Sequence, residues 1–232
     1  MSDSGRRVGR PRADRQRPPS GLPPREELLG AAAALFAERG YAATTTRAVA
    51  ERAGMRQATM YHYFGGKEEL LAELLESTVT PSLELARRLL AEDDRPAERR
   101  LWELCRSDVL LLCEGPYNLG ALYLLPEVRG ERFAVFRRVR AELKECYRRL
   151  LARTAAGSAL PADGLELRNA LLFGLIEGVI LIRDSGPPVP AEVFAEATAE
   201  AALRIAGGGI AHGRIADGGI ADGGGAVAGA DA

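Results

Sequence analysis

Residues 44–67, TTTRAVAERAGMRQATMYHYFGGK, hold two short amphipathic segments on either side of Ala53-Gly54-Met55. A threonine at the start of this stretch can accept a free amide at the head of a helix, and Val49 and Ala50 then point inward. Gly54 stands where a tight turn needs positive φ, a conformation that glycine adopts at no steric cost. The second segment, residues 57–64, brings Met60 and Phe64 to one side at i, i+4. Gln57, Ala58, Thr59, Tyr61 and Tyr63 are left on or near the other. Two short helices about a three-residue turn form a helix-turn-helix, whose second member enters the major groove of DNA. Within the stretch Arg47, Arg52, Arg56 and Lys67 stand against Glu51, a local charge of +3 that suits a polyanion. Tyr61 and Tyr63 admit two readings, contact with DNA or packing in a core.

Upstream, Pro24 suits the first position of a helix over 25–39, and Glu26 and Glu27 favour the positive end of its dipole. Leu28, Ala32, Leu35 and Phe36 make its apolar face, and Gly40 supplies a left-handed cap. The segment from Arg25 to Leu71 carries Leu35-Phe36, Gly40-Tyr41, Thr45-Thr46-Arg47, Ala53-Gly54, Met60-Tyr61, Phe64 and Lys67-Glu68. At these mutual spacings it resembles the DNA-binding head of the TetR family of repressors. The resemblance implies an all-α fold, with an N-terminal three-helix helix-turn-helix head and a larger C-terminal helical domain for ligand binding and dimerisation. It implies that Arg47 contacts a base edge or a phosphate, and that Gln57, Ala58 and Thr59 face bases. Gln suits adenine, and small apolar groups suit the thymine methyl. Thr45, Thr46, Tyr61, Tyr63 and Lys67 would fix register through phosphates, with His62 on the same surface. Two positions depart from the family's pattern: Arg56 where a capping serine is usual, and Ala58 where glycine is. Arg56 cannot cap by accepting a hydrogen bond, so it reads either as a guanine contact or as a solvated side chain.

Residues 1–25 carry seven arginines against two aspartates, so the first 25 residues stand at +5 while the whole chain is −1. Rich in Arg, Pro, Ser and Gly, residues 1–24 read as a disordered basic arm. Arg10 and Arg12, in Gly9-Arg10-Pro11-Arg12, fit either an A·T minor groove or unspecific phosphate attraction. At the other end, residues 207–232 repeat isoleucine-alanine units in a glycine-rich background, a disordered tail whose ordering would cost more entropy than one isoleucine per unit offsets. The expected domains are therefore the arm at 1–24, the DNA-binding head at 25–70, the helical body at 71–206 and the tail.

In the body, helices are expected over 67–79, 81–92, 96–114, 117–125, 127–155, 163–185 and 190–206. Ala170, Gly174 and Gly178 form a small-residue stripe at i, i+4, i+8 on a helix that is apolar nearly all round. With Glu177 and Leu181 they are the candidate dimer interface, Glu177 pairing across it, touching a ligand or reaching solvent. Candidates for an effector pocket are Trp102, Cys105, Asp108, Leu112, Tyr117, Asn118, Leu122 and Tyr123, several of which read equally as core. The break at Pro116 marks Tyr117 and Asn118 as a pocket mouth.

Three widely spaced cysteines do not make a secreted disulfide framework, and no signal peptide or membrane span is expected, which points to the cytoplasm. The folded part holds one histidine, His62, and no HExxH, CxxC, phosphate-cradling GxxxxGK[ST] or G-x-S-x-G pattern, so neither an enzyme nor a metal or other cofactor is expected. The implied partners are double-stranded DNA, a second copy of the chain and a small-molecule effector. An architectural DNA binder using arm and head without a specific operator is the competing reading.

Overall fold

A computed structural model describes residues 21–185 and 189–207 of the chain. The first helix, α1 (Pro24–Arg39), begins with proline, whose fixed φ suits the opening turn and whose missing amide would have had no partner there. It ends at Gly40, with φ of 80° and ψ of 157°, a positive φ beyond the left-handed helical basin. The Thr45 side chain accepts the Ala48 amide at 3.1 Å and caps α2 (Thr46–Arg52). Gly54 turns the chain with φ of 68°. The next helix, α3, is regular only over Gln57–Met60. Its continuation tightens: the Tyr63 amide donates to the Met60 carbonyl at 2.9 Å, three residues back. The expected helix over 57–64 is thus one α-turn followed by a tighter one.

Leu28, Leu35, Phe36, Val49, Ala50, Met60 and Phe64 are buried together with Leu70, Leu71, Leu74 and Leu75 of α4 (Lys67–Ser77). Val128, Phe133 and Phe136, from much further along the chain, join the same cluster. The core beneath the head therefore continues past residue 70.

A second cluster holds the rest together, formed by α5 (Thr80–Ala91), α6 (Ala97–Cys113), α7 (Ala134–Ala152), α8 (Ala162–Ser185) and α9 (Ala191–Gly207). Here α9 lies along α6, and α8 packs on α7 and α9.

Between α6 and α7 the structure departs from expectation. Helices over 117–125 and from 127 are replaced by short 3₁₀ turns at Leu119–Leu124, Pro126–Arg129 and Glu131–Phe133, and a regular helix starts only at Ala134. Pro126 excludes the helical region for Leu125, which is extended with ψ of 133°. Gly130, extended with ψ of 160°, breaks the path again. Among the described residues no helix is long and apolar enough to cross a membrane. Arg10, Arg12 and the repeat beyond residue 207 lie outside the described residues.

Candidate functional site

The apolar residues of α2 and α3 fix which side chains face outward. Met60 and Phe64 are buried in the cluster they share with α1, α2 and α4, so Arg56, Ala58, Tyr61, His62 and Tyr63 are exposed, Gln57 and Thr59 partly so. Tyr61 is 51% and Tyr63 40% exposed, which removes the core alternative for both. A small network spans the two helices. Gln57 Nε2 donates to Thr46 Oγ1 at 3.0 Å, and the Thr46 and Tyr61 hydroxyls are 3.2 Å apart. Arg47 pairs one turn ahead on its own helix with Glu51 at 2.8 Å, both side chains in water. Arg56 precedes α3 in extended conformation and makes no cap.

Lys67 has a different setting from the one expected. Its Nζ donates to the carbonyls of Tyr41, Ala42 and Thr44 at 3.1, 3.4 and 3.3 Å, and sits 4.4 Å from the centre of the Tyr41 ring. The ammonium gathers three carbonyls of the turn after α1, and so ties that turn to the start of α4. Burial, with the nearby Glu68 carboxylate, pushes the Tyr41 hydroxyl up to about 12.

The effector candidates scatter into four places. Cys105, Asp108 and Leu112 are buried on α6. Asp108 accepts from Ser82 Oγ at 2.8 Å and from the Tyr147 hydroxyl at 2.9 Å, a trio that joins α5, α6 and α7. Burial pushes the Asp108 carboxyl up to about 6 against the pull of those two hydrogen bonds, and pushes the Cys105 thiol up as well. Trp102 lies at the surface of α6 beneath two guanidinium groups, with Arg99 4.6 Å from its ring centre. Tyr117, Asn118 and Leu122 line a cavity of about 290 Å³ against α1.

A cavity of about 550 Å³ lies between the 3₁₀ turns, α7 and α8, and of the effector candidates only Tyr123 reaches it. Arg129, Arg137, Arg140, Val128 and Phe136 line it, none of which the sequence reading singled out. The available signal was the pair of helix breakers Pro126 and Gly130, since non-helical chain laid over a helical body leaves gaps. The Tyr123 hydroxyl is hydrogen-bonded to Thr78, which closes α4.

The dimer candidates lie on and beside one stripe of α8. Leu167, Ala170, Leu171, Gly174, Leu181 and Ile182 are exposed and Gly178 half-buried. Leu171 and Leu181 remain 55% and 59% exposed. Glu177 is paired within its own chain, to Arg140 of α7. Gly174, Glu177, Gly178 and Leu181 also line the large cavity, which therefore borders the apolar stripe.

The profile described as "Bacterial regulatory proteins, tetR family" matches residues 28–74. The HTH-type transcriptional repressor KstR2 of Mycobacterium tuberculosis is 43% identical over 75 residues, 32% of this chain; that match spans only 38% of KstR2. The HTH-type transcriptional regulator BetI 2 of Chromohalobacter salexigens is 30% identical over 178 residues, covering 66% of this chain and 82% of its own. Among solved structures, Mycobacterium smegmatis AmtR aligns with a TM-score of 0.73 and 46% identity over 81% of this chain and 87% of that one.

Proposed function

The chain belongs to the TetR family of bacterial regulatory proteins, and from that premise we propose that it is a cytoplasmic, homodimeric repressor released from a palindromic operator by a small molecule. The observation that carries this reading is the outward face of α2 and α3. Gln57, Thr46 and Tyr61 form a hydrogen-bonded group on it, with Arg47 and Arg56 exposed beside them. Residues 25–70 act as the DNA-binding head and 71–206 as the effector and dimerisation body. In this reading Gln57, Ala58 and Thr59 read bases. Arg47, Thr45, Tyr61, His62 and Tyr63 set register, and Arg10 and Arg12 of the arm reach the minor groove. Lys67 steadies the turn beneath them rather than seeking a phosphate.

Two further features support the body's role. An exposed leucine stripe with small residues suits a second copy packed helix to helix, as in isologous four-helix contacts. Val128 and Phe136 belong both to the wall of the large cavity and to the cluster under α4. A ligand that moves this wall shifts the head, and so alters whether two recognition helices match successive major grooves about 34–36 Å apart.

Selection of bound duplexes from a random pool, followed by footprinting, tests the reading. One inverted repeat with half-sites about one helical turn apart is expected. Arg47→Ala should weaken binding to it about tenfold while sedimentation still gives a dimer. Dispersed protection without a repeat overturns the operator and favours an architectural DNA binder.

A further inference from the structure

We propose that the 550 Å³ cavity binds an amphipathic organic anion, a carboxylate on an apolar body, through the guanidinium groups at its rim. This rests on reading that cavity as the effector site and names the chemistry of its ligand. Three arginines line the cavity, Arg129, Arg137 and Arg140, against one carboxylate, Glu177. Arg140 is already committed to Glu177 through Nε and Nη2, an ion pair that neutralises both. Arg137 gives Nη1 to the carbonyls of Val128 and Gly130 at 2.7 and 2.6 Å, neutral acceptors that hold the side chain without cancelling its charge. Arg129 is exposed, and its side chain forms no ion pair or hydrogen bond among the described residues. Two positive charges are thus left uncompensated at the edge of a pocket whose deeper walls are Val128, Phe136, Leu125 and Ile180.

That combination selects a ligand by charge and by shape. A guanidinium presents a planar fork of donors that a carboxylate meets with two parallel hydrogen bonds. Beside an apolar wall the exchange gains from reduced screening, and a cationic ligand meets repulsion from two unneutralised arginines. The apolar body finds its place between the 3₁₀ turns and α8. Gly174 and Gly178 leave open space there, since a methyl group added at either would meet nothing within 4 Å. A volume of this size falls within the range of small-molecule sites.

Decanoate, decanol and decyltrimethylammonium share one apolar chain and differ in head group, which makes them suitable probes for calorimetric titration of the full chain. Decanoate should bind at least tenfold more tightly than decanol, the scale of a charge-assisted hydrogen bond, with the ammonium weakest. Arg129→Gln should reduce the preference for decanoate over decanol about threefold, and Arg129→Gln with Arg137→Gln should abolish it. Equal binding of decanoate and decanol, a preference for the ammonium, or no binding of any probe overturns the proposal. Operator binding, measured on the same samples, separates the two readings. A protein that holds its operator but ignores decanoate loses the anion site alone, whereas one that prefers decanoate but selects no operator loses the repressor reading alone.

Discussion

Thr46, Gln57 and Tyr61 join α2 to α3 in contact with water, whereas Ser82, Asp108 and Tyr147 join α5, α6 and α7 away from it. Each trio sets an aliphatic hydroxyl and a phenol around an amide or a carboxyl. In the exposed one, water can replace any bond that breaks, so each contributes little to net stability. The same groups are then free to exchange partners for phosphates and base edges. In the buried one no water stands by, and a broken bond leaves a polar group with nothing. Burial raises the Asp108 carboxyl to about 6 and pushes the Tyr147 phenol up, the expected mark of charge kept from solvent. The body is braced at a point that tolerates no rearrangement, while the head carries its interface as hydrogen bonds that are easily exchanged.

On that contrast, the largest loss of stability comes from Asp108→Ala. At pH 5, where the carboxyl is mostly neutral, the change removes the shared acceptor of Ser82 and Tyr147 and leaves a small void. We expect a loss of about 3 kcal/mol, read from the midpoint of denaturant unfolding. A loss below about 1 kcal/mol would mean that the trio does not brace the three helices.

A smaller effect follows from pH. Asp108 titrates near 6 in the folded chain and has an ordinary value of 3.8, so between these values the folded state holds a proton that the unfolded state has released. The folded pKa is the higher one, and stability from this group therefore rises as pH falls from about 7 towards 4, by roughly 2 kcal/mol. Asp108→Asn has no proton to gain and should lack that rise. Parallel stability curves for the two proteins would show that burial does not raise the carboxyl in the folded chain.

What could be read from the sequence follows the same divide between local and distant partners. The head was legible because its determinants lie within one or two turns of each other. Thr45 caps a helix three residues ahead, Gly54 turns the chain, and Met60 and Phe64 define one side at i, i+4. The α8 stripe was legible for the same reason. Asp108 could be named but its surroundings could not, because Ser82 and Tyr147 lie 26 and 39 residues away. The large cavity was missed on two counts. Composition over 117–133 reads as helix until Pro126 and Gly130 are given their full weight, and Arg140 meets Glu177 across 37 residues. Lys67 shows a further limit. Its charge suggests a phosphate, and only the fold reveals that three carbonyls of the turn after α1 converge on it.

The smallest stability effect is expected at Tyr61→Phe, and it probes the contrast from the exposed side. The hydroxyl lies 3.2 Å from Thr46 Oγ1 and 3.4 Å from Gln57 Nε2, but the residue is 51% exposed. Deleting it leaves both partners open to water and the ring in place, so unfolding should change by less than about 0.5 kcal/mol. Operator affinity should nonetheless fall about tenfold, because a group that sets register on the duplex is gone and Gln57 loses one of its positioning contacts. Titrating the selected operator by fluorescence anisotropy, beside a denaturant curve on the same preparation, gives both numbers. A variant that loses more than about 1 kcal/mol of stability yet binds DNA like the parent would show that the exposed trio braces the fold as the buried one does.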